Sequence, residues 1–263
     1  MRLESTALAF AYSPEREILQ SVSLSLGTGQ VLFILGANGS GKTTLLECLS
    51  GLRQPLRGSV AVDGQDLHQL AARTRAQQIG LVPQLHEPVF EFTVEQAVLM
   101  GRAPHLGLFD RPGSGDFEAV RSAIETVGIQ HLSHRPYTKI SGGERQLVLI
   151  ARGLAQGARC LLMDEPVAHL DPHHQHDVLS LVRHLADDGF SFAITSHLPN
   201  HALLYADWAA FLVDGRADTQ GPPATTITEG SLQIAYEMEF EIVEGASGSR
   251  AILPRFRRAG SQE

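Results

Sequence analysis

The N-terminal part of the chain alternates large apolar side chains with small or polar ones. Leu8, Phe10 and Tyr12 alternate with alanines, which predicts a strand that places its large side chains on one face. Residues 18–26 alternate in the same way and are predicted to form its hairpin partner. The uninterrupted apolar run at residues 31–35 predicts a buried strand instead.

The pattern changes again in the middle of the chain. Further strands are predicted at residues 59–62, 79–83, 160–163, 190–195 and 209–213. Between them, apolar residues recur at helical spacing, for example at Phe117, Val120 and Ile124. We therefore expect an α/β core with a helical subdomain inserted at about residues 85–140.

The chain is expected to divide into a main domain of residues 1–221 and a small C-terminal appendage of residues 222–263. A Gly-Pro-Pro sequence marks the boundary. The appendage is predicted to hold a short helix near residues 231–238 and strands near Phe240 and Ala251.

Composition narrows the class of protein. A chain of 263 residues with 43% hydrophobic and 19% charged residues is globular and long enough for a sizeable core. The net charge of −8 argues against nucleic acid as a partner. Cys48 and Cys160 lie in predicted core elements without metal-ligand spacing, so we expect no disulfide and a cytosolic compartment. No signal segment is recognised, and no apolar run reaches the roughly 18 residues of a spanning helix, so any membrane connection is expected to involve a partner.

A phosphate-binding motif follows the buried run at residues 31–35. It consists of Gly36, Ala37, Asn38, Gly39, Ser40, Gly41, Lys42 and Thr43, with Thr44 after it. Its glycines let the backbone approach phosphate oxygens, and the following helix directs its amides at an anion. Lys42 is expected to contact the β- and γ-phosphates and Thr43 to bind Mg²⁺. The alternative is a glycine-rich turn before a helix.

A second glycine-containing motif opens a later helix with Ser141, Gly142, Gly143 and Glu144. A capping box explains the serine and the glutamate. It does not explain two glycines in a first helical turn, where each costs up to about 1 kcal/mol relative to alanine. We therefore predict a close approach by a backbone or a ligand, and a second anion site at this helix N-terminus.

Polar side chains also follow three predicted buried strands. Asp164 is expected to hold Mg²⁺, and Glu165 to orient and deprotonate a water molecule as general base. His197 follows the next strand and can reach a γ-phosphate. Gln84 begins the loop after residues 79–83 and can bind Mg²⁺ or water. The alternatives are an acidic turn, a solvent-facing histidine and an ordinary polar loop residue.

Two other features leave alternatives open. Tyr12, at the lip of the first hairpin, can stack on a purine or be a surface tyrosine. Asp171 is a predicted helix cap that leaves His173 and His176 one turn apart. These two histidines suit a solvated helix face, and a zinc or nickel site is the alternative.

In this order along the chain, the motifs resemble the nucleotide-binding subunit of ABC transporters over residues 3–221. The resemblance implies an adenine-stacking role for Tyr12, Walker A for residues 36–44, the Q-loop for Gln84, the signature for residues 141–146, Walker B for residues 160–164, the D-loop aspartate for Asp171 and the switch histidine for His197. Val167 and Ala168 stand where the family usually has a serine or threonine.

The resemblance also implies a fold, ligands and partners. The fold would be the α/β P-loop NTPase fold of ABC ATPases, with an antiparallel β subdomain, the inserted helical subdomain and the C-terminal appendage. Two copies would form a homodimer around two Mg-ATP. The dimer would lie peripherally on the cytoplasmic face of the membrane against integral-membrane permease subunits, and an extracytoplasmic substrate-binding protein would act indirectly.

Residues 93–102 and 143–152 resemble the ATPases of type II importers for ferric siderophores, haem and cobalamin, a group with molybdate-transporting relatives. This implies ATP hydrolysis that drives import of such a cargo. An alternative is a soluble ABC ATPase that serves a scaffold such as iron–sulfur cluster assembly. A kinase or GTPase is disfavoured by the signature motif, and a DNA-repair ATPase by the lack of heptad arms.

Overall fold

The computed structural model describes residues 1–14, 16–84, 91–107, 109–217, 219–246 and 248–255. Its strands are β1 Leu3–Ser13, β2 Arg16–Leu26, β3 Val31–Leu35, β4 Arg57–Val62, β5 Gln65–Asp66, β6 Ile79–Val82, β7 Cys160–Asp164, β8 Ser191–Ser196, β9 Trp208–Phe211, β10 Arg216–Ala217, β11 Gln220–Gly221, β12 Phe240–Glu244 and β13 Arg250–Pro254. Its α-helices are α1 Lys42–Leu49, α2 Ala72–Gln78, α3 Val94–Leu99, α4 Ser114–Val127, α5 Gly142–Ala155, α6 Pro172–Asp187, α7 Pro199–Tyr205, α8 Pro223–Thr226 and α9 Glu229–Tyr236.

Two sheets organise these elements. The central sheet has the order β11-β9-β3-β8-β7-β6, in which the strands from β9 to β6 run parallel and β11 is antiparallel. The second sheet has the order β10-β2-β1-β4-β5 and is antiparallel apart from the β10–β2 pair. The predicted N-terminal hairpin is confirmed, because β1 pairs antiparallel with β2.

The strand β3 lies between two hydrophobic clusters. Val31, Phe33 and Leu35 belong to one cluster, and Leu32 and Ile34 belong to the other. Successive side chains of a strand point to opposite faces, so a strand with core on both faces needs an unbroken apolar run. This explains why residues 31–35 show no alternation.

The inserted helical subdomain, called the helical lobe below, contains α3 and α4 and packs on α5. Val94 and Val98 of α3 and Val120 and Ile124 of α4 are buried in one cluster with residues of α5. Phe117, which we placed on the same apolar stripe, is 43% exposed, so the stripe is buried only after the first turn of α4. The predicted start of the lobe near residue 85 lies outside the described residues.

The C-terminal segment, residues 222–255, packs against the main body. Ile227, Leu232 and Ile252 are buried in the same cluster as Phe33 of the central sheet. The Asn200 side chain on α7 donates to the Ile252 carbonyl oxygen at 3.0 Å and accepts from its amide at 2.8 Å. The predicted helix and strands are present, while the end of the expected appendage after residue 255 lies outside the described residues.

Gly101 lies close to the backbone of α5, where a larger residue would lower stability. A Cβ at this position would overlap the carbonyl oxygen of Arg152 in α5. We expect Gly101→Ala to lower the free energy of unfolding by about 1–3 kcal/mol, because backbone must shift to admit the methyl group. Gly115→Ala is the control, since its Cβ would meet no other described element within 4 Å and alanine favours a helix. Urea unfolding tests both variants, and equal stability of the two would contradict the packing argument.

Candidate functional site

A cleft of about 690 Å³ opens where parallel strands of the central sheet end. It is lined by Tyr12, Ile18, Asn38, Gly39, Gly41, Lys42, Thr43, Thr44, Gln84, Asp164, Glu165, Ala168, His169 and His197. The neighbouring parallel strands β3, β8 and β7 have their carboxyl ends at this edge. Ligands of open α/β sheets bind at such an edge.

The phosphate-binding motif forms a loop between β3 and α1. Gly39 and Gly41 have φ values of 82° and 102°, which favour glycine, and Gly41 is the N-terminal cap of α1. The buried Lys42 ammonium donates to the carbonyl oxygens of Gly36 and Ala37, each at 2.9 Å. The lysine is thereby held inside the loop, where an anion at the helix N-terminus would meet it.

A chain of hydroxyl and carboxylate groups crosses the strand ends. Thr43 Oγ1 donates to Asp164 Oδ2 at 2.6 Å, and Thr195 Oγ1 donates to Asp164 Oδ1 at 2.7 Å. Both threonines therefore orient a carboxylate that is only 7% exposed. Sequence reasoning missed Thr195, although a hydroxyl in the apolar run of β8 was a usable signal.

The oxygen atoms at the cleft end of this series of hydrogen bonds fit Mg²⁺. Thr43, Asp164 and Gln84, the three expected metal ligands, all line the cleft and offer oxygen atoms. In the described chain there is no group of three or more His, Cys, Asp or Glu side chains that could hold a metal by itself. A site with one carboxylate and one hydroxyl suits a magnesium ion that takes its other ligands from water and nucleotide phosphates.

Glu165 occupies a strained turn directly after β7. Its φ of 43° is unusual for a side chain other than glycine, and such strain costs on the order of 1–3 kcal/mol. Its amide donates to Thr195 Oγ1 at 2.9 Å. Its carboxylate lies between two groups, with Oε1 at 3.3 Å from Lys42 Nζ and Oε2 at 3.1 Å from His197 Nδ1. The fold therefore brings the expected general base and the expected switch histidine into contact.

Tyr12 stands at the rim of the cleft and is 57% exposed. Its hydroxyl lies 3.1 Å from Thr44 Oγ1 and donates to Glu47 at 3.2 Å. The Arg53 guanidinium lies over the ring, 5.1 Å from its centroid. The ring of Phe10 also packs edge-on with it, at 5.0 Å between centroids, so these contacts hold the Tyr12 ring in place at the rim.

The motif at Ser141–Glu144 and the cap Asp171 lie apart from the residues that line this cleft. Ser141 and Glu144 form the capping box, with bonds of 3.2 Å and 2.7 Å to each other's backbone amides. A Cβ on Gly143 would overlap the imidazole of His174, whose ring bonds Asp171 at 2.6 Å. The close approach that we predicted at Gly143 therefore comes from the same chain.

Gly142 differs from Gly143 in its surroundings. The nearest atom to a Cβ on Gly142 would be Leu170 Cδ2, at an ordinary 3.6 Å. Packing within the chain therefore does not require glycine at this position. Asp171 caps α6 by accepting from the amides of His173 and His174, and hydrogen bonds from the His174 amide and imidazole hold the pKa of Asp171 below its ordinary value.

The remaining histidines do not assemble a metal centre in the described chain. His173 faces Asp177 at 3.6 Å, and His176 bonds the Tyr205 hydroxyl at 2.6 Å. The zinc or nickel alternative therefore finds no ligand cluster among the described residues.

Comparison with known proteins shows the family to which the chain belongs. The family described as ABC transporter matches residues 19–168, more than half of the chain. The chain belongs to the ABC transporter family. The resemblance found in the motifs and the expected ABC ATPase fold are both confirmed. Among the described residues of this family member, no helix is both long and apolar enough to cross a membrane.

The relatives of this ABC family member carry import names. The cobalamin import ATP-binding protein BtuD of Halobacterium salinarum is 37% identical over 97% of this chain, which spans 64% of that protein's length. The hemin import ATP-binding protein HmuV of Pseudomonas entomophila is 38% identical over 85% of this chain and 88% of its own length. A solved structure described as an inward-facing, metal-chelate type ABC transporter has a TM-score of 0.84 and 31% identity, covering 97% of both chains.

We expect Lys42→Ala to weaken Mg-ATP binding by about tenfold to a hundredfold, because a charged hydrogen-bond donor contributes about 1.5–3 kcal/mol. Isothermal titration calorimetry measures the dissociation constant. Lys139→Ala is the control, since Lys139 is the chain's other lysine and is exposed. Equal affinity of the two variants would remove Lys42 from the phosphate site.

Proposed function

We propose that this chain is the ATP-hydrolysing subunit of an ABC importer. The observation that carries the proposal is the Glu165 carboxylate, held between Lys42 and His197 at the rim of a phosphate loop. A carboxylate in this place can deprotonate water beside a γ-phosphate, which is the chemistry of a hydrolase.

Nucleotide binding would use the groups already aligned in the cleft. The phosphates would lie on the amides at the start of α1, with Lys42 turning from Glu165 and the loop carbonyls to the β- and γ-phosphates. Thr43, Asp164 and Gln84 would hold Mg²⁺, which would neutralise charge on the phosphates when bound. Tyr12 would stack on the adenine.

Hydrolysis would then depend on the release of Glu165 from Lys42. The freed Oε1 can accept a proton from water while the water oxygen bonds the γ-phosphorus and the bond to the β-phosphate oxygen breaks. Oε2 remains on His197, so the imidazole keeps the carboxylate oriented towards the attacking water. The products are ADP and inorganic phosphate, with the proton on Glu165.

A second copy of the chain would complete the site. Ser141, Gly142, Gly143 and Glu144 lie outside the cleft of their own chain. In a head-to-tail homodimer the N-terminus of α5 from one protomer would face the γ-phosphate bound by its partner, and Asp171 would lie at the same interface. This assignment accounts for Gly142, for which intrachain packing supplies no reason.

A groove of about 380 Å³ between the helical lobe and the core suits a membrane partner. Leu52 and Met100 line it and are 66% and 46% exposed. We assign this groove to an integral-membrane permease, and the chain would then lie peripherally at the cytoplasmic face of the membrane. An extracytoplasmic binding protein would act only through that permease.

The proposed cargo is a metal chelate, such as a ferric siderophore, haem or cobalamin, or else molybdate. The names of the cobalamin and hemin relatives and of the metal-chelate type structure support this class. No relative given above favours a scaffold for iron–sulfur cluster assembly.

We expect Glu165→Gln to retain Mg-ATP binding and to reduce phosphate release by at least about a hundredfold, because an amide keeps the shape of the carboxylate but cannot accept the proton. The trapped ATP should hold a long-lived dimer, which light scattering detects. Glu118→Gln, at an exposed position on α4, is the control. A monomer with and without Mg-ATP would contradict the two-chain site.

Gly142→Asp in the Glu165→Gln background distinguishes an effect on dimer formation from an effect on the folding of the monomer. A Cβ on Gly142 would meet only Leu170 Cδ2 within 4 Å, and a carboxylate is favourable at a helix N-terminus, so the monomer should fold normally. The same charge would repel the partner's γ-phosphate and abolish the dimer, while Gly142→Ala should retain it. Gly143→Asp is less informative because its side chain would displace His174.

We expect cells that lack this protein to lose uptake of one of four radiolabelled cargoes, namely ferric siderophore, haem, cobalamin or molybdate, because import requires the ATPase. Restoration by the wild-type gene and not by Glu165→Gln is the control. Normal uptake of all four in cells without a second such ATPase would reject the cargo class and leave the ATPase assignment standing.

A further inference from the structure

The carboxylate of Glu47, on α1, lies between two side chains at the rim of the cleft. Its Oε2 atom accepts one hydrogen bond from the Tyr12 hydroxyl at 3.2 Å and another from Arg53 Nε at 3.0 Å. The Arg53 guanidinium in turn lies over the Tyr12 ring, 5.1 Å from the ring centroid. These three side chains, called the rim cluster below, therefore form a closed set of contacts around one carboxylate oxygen.

The rim cluster joins two parts of the fold. Tyr12 belongs to β1 of the antiparallel sheet, whereas Glu47 belongs to the helix that begins at the phosphate loop. The Tyr12 hydroxyl also lies 3.1 Å from Oγ1 of the buried Thr44 on the same helix. Because a phenol has a single proton, and here donates it to Glu47, the hydroxyl of Thr44 is the donor in the second bond. The tyrosine is therefore bonded twice to α1.

The backbone of β1 does not by itself fix the position of the Tyr12 ring. The register between β1 and β2 shifts between Phe10 and Ala11 and again between Ala11 and Ser13. Such shifts interrupt the regular ladder that determines where each side chain of a strand points. At this end of β1 the position of the ring therefore depends on its bonds to α1 and on the edge-on ring of Phe10.

The contacts of the rim cluster leave part of the tyrosine free for a ligand. Tyr12 is 57% exposed despite them, and it lines the same cleft as Lys42. Glu47 is not among the described residues that line this cleft, so it would act on a bound base through the Tyr12 ring. A nucleotide with its base on the ring and its phosphates at Lys42 would depend on the distance between the ring and α1.

We propose that Glu47 is a positioning residue, which holds the Tyr12 ring at the distance from α1 that a nucleotide spans between its base and its phosphates. The proposal rests on the proposed function, in which Tyr12 stacks on the adenine and Lys42 binds the phosphates. The alternative is an ordinary surface ion pair between Glu47 and Arg53, which would have little effect on nucleotide binding.

The variant Glu47→Ala removes the shared acceptor and leaves Tyr12 and Lys42 in the chain. We expect its dissociation constant for Mg-ATP to rise about threefold to tenfold, because the released ring would be in place in only about a third to a tenth of the molecules. Calorimetric titration of the full chain measures this constant. Glu118→Ala, at an exposed position on α4, is the matched control and should bind as wild type does.

Two further variants show whether Glu47 acts through the tyrosine. Tyr12→Phe keeps the ring and breaks the same bond from the other side, so it should weaken Mg-ATP binding by a similar factor. The double variant Tyr12→Phe with Glu47→Ala should bind no more weakly than the weaker single variant, because two residues that act through one contact are not additive. Glu47→Gln retains an oxygen that can accept from the phenol and should recover most of the lost affinity.

The wild-type chain is titrated first. If it does not bind Mg-ATP, the proposed function fails, and this inference fails with it. If wild type binds and Glu47→Ala binds equally well, only the positioning role is refuted, and the contact with Arg53 is an ordinary surface ion pair. Losses that multiply in the double variant, or a Glu47→Gln chain as weak as Glu47→Ala, would also overturn it. Similar losses in the two single variants that do not multiply, with recovery in Glu47→Gln, support the proposal.

Discussion

The buried ammonium of Lys42 is the constraint around which the site is arranged. A cation that is only 5% exposed is stable only if oxygen atoms surround it, and here two loop carbonyls and the Glu165 carboxylate do so. The same contacts close the phosphate loop on itself and join it, through the Lys42–Glu165 ion pair, to the turn that follows β7. Because Glu165 also contacts His197, one charge orders three strand ends at once. A phosphate group that attracts Lys42 away from Glu165 would therefore change the surroundings of Glu165 and His197 as well.

The first turn of α5 shows that one sequence motif can serve two purposes. Gly143 is small because His174 packs on it, and that histidine is tied to the cap of α6 through Asp171. Gly142 has no such neighbour. The contact between α5 and the start of α6 therefore explains Gly143. It does not involve Gly142, which remains available with the N-terminus of α5 to a ligand or a partner.

The C-terminal segment is built into the core. Its apolar residues share a cluster with the central sheet, and its hydrogen bonds to Asn200 fasten it to the helix after His197. Since α9 also lies along the phosphate loop, a change in this segment is physically able to reach both sides of the cleft. The appendage expected after the Gly-Pro-Pro sequence lines a cavity on the outer side of the phosphate loop.

Local patterns in the sequence determined the elements and the contiguous motifs. The phosphate loop, the capping box at Ser141 and the buried run of β3 each lie within a few neighbouring residues, where spacing and residue type suffice to predict backbone geometry. Only the tertiary structure decided which distant side chains meet. Thr43 and Asp164 are 121 residues apart in the sequence, and their contact depends on the strand order β3-β8-β7, which no local pattern encodes. The role of Thr195 depends on the same packing of distant elements, because a hydroxyl in a strand acquires a chemical role only from its neighbours in space.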